Sequence, residues 1–246
     1  MRLKLSFQGE VEERDEWVRE RFISFLKKAF QSASEERYKN LFSAKKVRPY
    51  VYAPFFGSEF EKSRIGPDLS FIFSSGDYEI ISTFWNGIII LKERRSDYIE
   101  INGKKFILKN INLLPNKRIT SKRVIFKTIG TSILTDPSSA PDDFKNWFII
   151  PEKENLERFN SVLCERVRQK YEIIKSRKIE PDLRFTLLAD YPIKETVIPL
   201  FKGYVRGFRG YFLLEGSPEI LNFLYDYGFG VRTGQGFGLL DVIKQL

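Results

Sequence analysis

The chain passes twice through the same succession of apolar periodicities, and that repetition constrains its fold more than any other feature. "RLKLSF" (2–7) alternates apolar and polar residues as a half-buried strand does. A helix follows over about 13–33, with Val18, Phe22, Phe25, Leu26 and Phe30 at helical spacing. "VRPYVYAPFFG" (47–57) and "DLSFIFSS" (68–75) read as extended segments around the turn-rich "KSRIGPD". In 77–93 the β-branched "GIIIL" favours a strand, while Ile80, Phe84 and Ile88 are spaced for a helix; length decides for the helix. "DYIEI" and "KFILKNINLL" then flank an Asn-Gly turn, the favoured two-residue hairpin connection.

The order recurs from residue 123. "RVIFKTIG" (123–130) is a strand, a Pro/Ser/Asp-rich loop follows, and a helix spans about 153–175 with Leu156, Phe159, Leu163, Val167 and Tyr171 on one face. Strands come next at 183–189 and, as two segments, within 196–216. Ser217, Pro218 and Glu219 open a short helix, and "FGLLDVI" is the final strand. Two βαββαβ units in succession define an α+β chain of two tandem ferredoxin-like domains, expected at 1–120 and 121–246, with the boundary in the basic stretch "PNKRITSKR" (115–123).

Between the last helix and the last strand lie Gly228, Gly230, Gly234, Gly236 and Gly238, five glycines in eleven positions. Each costs roughly 0.5–1 kcal/mol relative to alanine in regular structure, so the cluster requires a cause. Apolar residues resume at once, which excludes a flexible tail. A dinucleotide fingerprint or a phosphate loop follows a strand and opens a helix, the reverse of the order here. A bare backbone that something approaches closely remains: the other half of the chain, or a nucleic-acid backbone. Gly228 is also accounted for as a helix C-cap.

Lys and Arg number 41 against 32 Asp and Glu, a formal charge of +9 that favours a polyanionic partner. The chain has no histidine, so imidazole chemistry and histidine metal ligation are excluded, and a single cysteine, Cys164, permits no internal disulfide and no cysteine-rich metal site. No cofactor or metal is called for. The longest apolar run, "GIIIL", is too short to span a bilayer, and the N-terminus lacks the features of a secretory signal, so a cytoplasmic protein without membrane contact is expected.

"GFGVRTGQGFG" before the last strand resembles the glycine-rich signature of the CRISPR-associated repeat-processing endoribonucleases, the Cas6 family of the RAMP superfamily, and the tandem halves and "NLFSAKKVRPYVYAPFFG" fit the same family. The resemblance implies CRISPR repeat RNA, in a precursor transcript, as the partner, with subunits of a CRISPR effector complex as further partners; a homodimer is left open. It implies metal-independent cleavage in each repeat by a ribose 2′-hydroxyl, leaving a 2′,3′-cyclic phosphate and a 5′-hydroxyl. The alternative is a repeat-binding protein that does not cut.

Members of that family often carry histidine just before the aromatic strand. Here Phe42, or after a short gap Ala44, occupies that place, and Arg48 falls where a catalytic lysine often sits. A first-helix tyrosine used by some members corresponds to Lys27 or Lys28. The resemblance therefore assigns catalysis to Lys28, Ala44 (as the site of a lost histidine) and Arg48, and Lys46 is added as one of three cations beside the aromatic strand. Neighbouring Lys45, Lys46 and Arg48 are suited to depress a lysine base by like-charge repulsion, and Arg48 to stabilise phosphorane charge. Lys45, Arg206, Arg209, Gly230, Arg232, Gly234 and Gly236 are the expected RNA contacts, with the two arginines of "FKGYVRGFRGYF" at the surface. Phe229 and Phe237 read as core.

Overall fold

The computed structural model describes residues 1–13, 18–42, 47–56 and 64–246. The first half runs β1 (Arg2–Gln8), β2 (Glu12–Glu13), α1 (Val18–Ala33), α2 (Glu35–Phe42), β3 (Val51–Phe55), β4 (Arg64–Ile65), β5 (Asp68–Ser74), α3 (Tyr78–Glu93), β6 (Tyr98–Ile101) and β7 (Lys104–Leu114). The second runs β8 (Arg123–Ile129), α4 (Phe144–Trp147), α5 (Leu156–Lys175), β9 (Leu183–Leu187), β10 (Lys194–Leu200), β11 (Gly203–Arg209), β12 (Tyr211–Gly216), α6 (Pro218–Tyr227) and β13 (Leu239–Gln245).

The antiparallel sheet of the first half has the order β3-β5-β1-β7-β6, and that of the second β13-β8-β12-β9. Numbered by their place in a βαββαβ unit, both sheets follow the ferredoxin-like order 2-3-1-4, with β6 added at one edge of the first. The expected tandem architecture is the observed one. Each sheet lays its pair of long helices on one face. Phe22, Phe25, Leu26 and Phe30 of α1 and Phe84 and Ile88 of α3 close the first core, and Phe159, Leu163, Leu221 and Leu224 from α5 and α6 close the second. Residues 77–93 are a helix, capped by Asp77, whose carboxylate accepts from the backbone N–H groups of Glu79 and Ile80. Ser217 caps α6 by accepting from Ile220 N–H, with Pro218 in the first turn.

One local expectation is corrected and one short helix is added. Glu13 belongs to β2 and α1 is described from Val18, the expected helix start between them lying outside the described residues. The short helix α2 was not foreseen, because in its eight residues only Leu41 is buried and no apolar stripe develops. The stretch 196–216 holds three strands, not two: β10 and β11 form a separate two-stranded sheet, joined at Phe201 and Lys202, before β12 returns to the main sheet. That turn has φ of 49° and 59° at its two central residues, conformations usually given to Asn or Gly, so the sequence carries no turn signal there. The inner face of the hairpin buries Ile198, Leu200 and Val205 against Ile133, Phe148 and Phe237.

β3 is buried on both faces and joins the halves. Tyr50, just before it, and Tyr52 enter the first core, whereas Val51 and Ala53 pack with Leu239 of β13. Arg2 reaches from β1 to α6, donating to Tyr225 O at 2.6 Å with its guanidinium 3.5 Å from that ring's centroid. No helix among the described residues is long and apolar enough to cross a membrane.

Candidate nucleic-acid interface

The glycine loop, residues 228–238, lies where the halves meet, and its glycines are explained by close approach. A Cβ on Gly230 would fall 2.0 Å from the carbonyl oxygen of Ile133, and one on Gly234 only 2.5 Å from Cγ of Arg48. At Gly236, φ is +90° and a Cβ would press on the Tyr52 ring and Pro54 at 3.2–3.3 Å. Of the two partners the sequence allows, the rest of the chain accounts for the tight positions. Two cations fasten the loop from beneath. Arg19 of α1, itself buried, donates to Gly236 O at 3.3 Å, and Lys170 of α5 donates to Tyr227 O at 2.6 Å and Gly228 O at 2.8 Å. Phe229 and Phe237 are fully buried core residues.

Above the loop opens a cleft of about 660 Å³ whose lining includes Lys27, Arg48, Arg166, Lys170 and Arg232. The Phe42 ring organises two of these, with the Lys27 ammonium 5.8 Å and the Arg48 guanidinium 5.2 Å from its centroid. Arg166 is fixed by donating to Thr135 O at 2.8 Å and Thr135 Oγ1 at 2.9 Å, and Arg232 donates to Gln235 Oε1 at 3.2 Å. Burial pushes the Lys170 ammonium down to about 7, because its two partners are neutral carbonyls rather than a carboxylate. Burial raises the phenols of Tyr50 and Tyr52, so both stay protonated and neither serves as a base.

Of the residues expected at the site, the structure brings Arg48, Gly230, Arg232 and Gly234 to this cleft. Ala44, Lys45 and Lys46 lie outside the described residues. Lys28 lies on another side of α1, its ammonium 4.9 Å from the Tyr98 ring and lining a separate shallow groove; Lys27 is the helix lysine that faces Arg48. Gly236 is a buried residue of the loop, set against Tyr52 and Pro54.

The surface reading of Arg206 is corrected. It forms a two-pronged ion pair with Glu195 and donates to the carbonyls of Lys145 and Phe148, its side chain only 14% exposed. It clamps the hairpin to α4 and does not line the cleft. Arg209 is exposed and donates to Thr131 Oγ1 at 2.8 Å. Sequence reasoning missed Arg166 and Lys170. Their signal is visible in retrospect: two cations four apart, beside the apolar stripe of Phe159, Leu163 and Val167, where a solvated face is not expected.

A positively lined cleft between paired ferredoxin-like halves, floored by a glycine loop, defines a protein built to hold an extended polyanion. Residues 114–242 match the family model for the C-terminal part of CRISPR associated protein Cas6. The chain belongs to the Cas6 family. It is 29% identical over 182 residues to the "Putative CRISPR-associated endoribonuclease-like protein Cas6" of Pyrococcus furiosus, covering 74% of this chain and 70% of that one. Among solved structures it resembles that of a Cas6-related gene from Pyrococcus furiosus, with a TM-score of 0.80, 23% identity and coverage of 100% of this chain and 99% of the other. It also resembles one described as an RAMP protein binding different RNA substrates, with a TM-score of 0.78, 20% identity and coverage of 99% and 100%.

Proposed function

We propose that this chain binds CRISPR repeat RNA in the cleft between its halves and cleaves the precursor transcript within each repeat, without a metal ion. The observation that carries the reading is the gathering of Lys27, Arg48, Arg166, Lys170 and Arg232 around one cleft in a member of the Cas6 family. Units 1–120 and 121–246 act as its two domains, the connecting segment already packing Ile119 into the second core.

In this reading the ribose 2′-oxygen bonds to phosphorus as the P–O5′ bond breaks. The 2′ proton goes to a basic amine, and the departing 5′-oxygen takes a proton from a protonated amine or from water, leaving a 2′,3′-cyclic phosphate and a 5′-hydroxyl. Arg48 suits the developing phosphorane charge, since its guanidinium stays protonated and offers several donors in one plane. A lysine amine suits the base, with Lys46 among the expected catalytic residues, and Lys27 takes the place first given to Lys28. Holding the three reacting oxygens in line supplies much of the acceleration by positioning.

The absence of histidine favours a second reading, in which the chain holds the repeat without cutting it. Incubation of repeat RNA, labelled at either end, with the protein in EDTA separates the two. Cyclic-phosphate products at one position per repeat support the first reading, and tight binding with intact RNA supports the second.

A further inference from the structure

Phe201 is out of keeping with its position. It is the first central residue of the β10–β11 turn, at φ 49°, and Lys202 beside it has φ 59°. A bulky non-glycine residue there is strained, and such strain persists where the surroundings hold it and clusters at functional sites. Phe201 is not buried, being 53% exposed. It instead lines the basic cleft, whose lining also includes Ile23 and Ile173. The tip is held from the other half, because Phe201 N–H donates to Glu20 Oε1 of α1 at 2.7 Å. A strained, exposed aromatic is thus held in the lining of a cleft that also carries Lys27, Arg48, Arg166 and Arg232.

We propose that Phe201 is a stacking platform on which one unpaired base of the bound RNA rests, while the cleft cations hold the phosphates on either side. This rests on the RNA-binding reading above. The chemistry matches: aromatic faces stack on splayed-out bases, and cations beside them neutralise the backbone. Stacking is nearly independent of salt, whereas phosphate contacts are not, so the two contributions separate experimentally.

The test uses the full chain, with repeat RNA carrying 2-aminopurine at each unpaired position in turn. Parent, Phe201→Leu and Phe201→Trp are titrated at three salt concentrations. The exposed site lets all three fold, and circular dichroism checks that they do. The parent quenches one position strongly and Phe201→Trp retains that quenching. Phe201→Leu loses it and binds about five- to a hundredfold more weakly at an unchanged log–log salt slope. If Phe201→Leu binds and quenches like the parent while the parent keeps a steep salt slope, the platform is overturned and the RNA reading stands. A parent that binds no RNA overturns both.

Discussion

Cγ of Arg48 occupies the space that a side chain on Gly234 would need, the two lying 2.5 Å apart once a Cβ is built. That cleft cation is thus seated by the absence of a side chain in the other half. Gly234→Ala meets no unfavourable φ, so its effect passes through displacement of Arg48. We expect a modest stability loss, about 1 kcal/mol, with a marked fall in RNA affinity or cleavage. Gly103→Ala, in an open hairpin turn with φ +77°, costs about 1 kcal/mol and leaves RNA binding unchanged. Gly230→Ala, against the Ile133 carbonyl, costs about 3 kcal/mol or more and impairs folding itself. Thermal melts beside RNA titrations check the series, and equal, mild effects at all three would remove the close-approach argument.

Arg48→Ala is expected to lower any cleavage rate about a hundredfold while weakening binding by less than about tenfold, because phosphorane charge exists only in the transition state. Single-turnover rates and Kd measured on the same RNA decide this. An equal loss in both makes Arg48 a binding residue.

RNA binding is expected to be steeply salt-dependent. If Lys27, Arg48 and Arg232 alone each neutralise one phosphate of a single strand, the log–log slope is about −2, and steeper if Arg166 contributes. A slope near zero is incompatible with the cleft as an electrostatic site.

Lys170 predicts a pH dependence of stability. Its folded value, about 7, lies below that of an ordinary lysine, 10.5, so the unfolded chain binds more protons between those limits. Stability therefore rises with pH across that window, and the full penalty for burying the charge is felt below it, the slope being at most about 1.4 kcal/mol per pH unit. Lys170→Met removes this slope, whatever the loss of its bonds to the carbonyls of Tyr227 and Gly228 does to absolute stability. Urea denaturation of both chains at pH 6, 8 and 10 checks it; parallel profiles would show that Lys170 keeps an ordinary value.

Arg206→Ala is expected to lower stability by about 1–3 kcal/mol, through the loss of its ion pair with Glu195 and its two carbonyl contacts, with little direct effect on RNA. Melting temperature and RNA affinity of that variant, set beside Arg209→Ala, test the assignment.

The ferredoxin-like order was legible because long amphipathic segments such as 153–175 carry their periodicity openly, and the glycine cluster announced a crowded backbone. The partner in that crowding was not legible, since nothing in "GFGVRTGQGFG" names Arg48 or Tyr52. The β10–β11 hairpin escaped for a different reason. Alternation reports that one face of a strand is buried but not which sheet the strand joins, and a Phe-Lys turn hides the reversal. Arg206 was misread because arginine among glycines and aromatics looks the same whether it points to solvent or to two carbonyls. Lys27 and Lys28 differ by one position, and a turn of about 100° between neighbours is all that sends one to the cleft and the other to Tyr98.

The fit of the glycine loop against Arg48, Tyr52 and Pro54 makes neither half a transplantable cassette. A chimera that joins residues 1–114 to the second half of a relative inherits a loop shaped for another chain's strand, and its cleft is misassembled even when both sheets fold. Changes in β3 and changes in the loop have to be inherited together, so divergence between relatives is expected to proceed by paired substitutions across that contact.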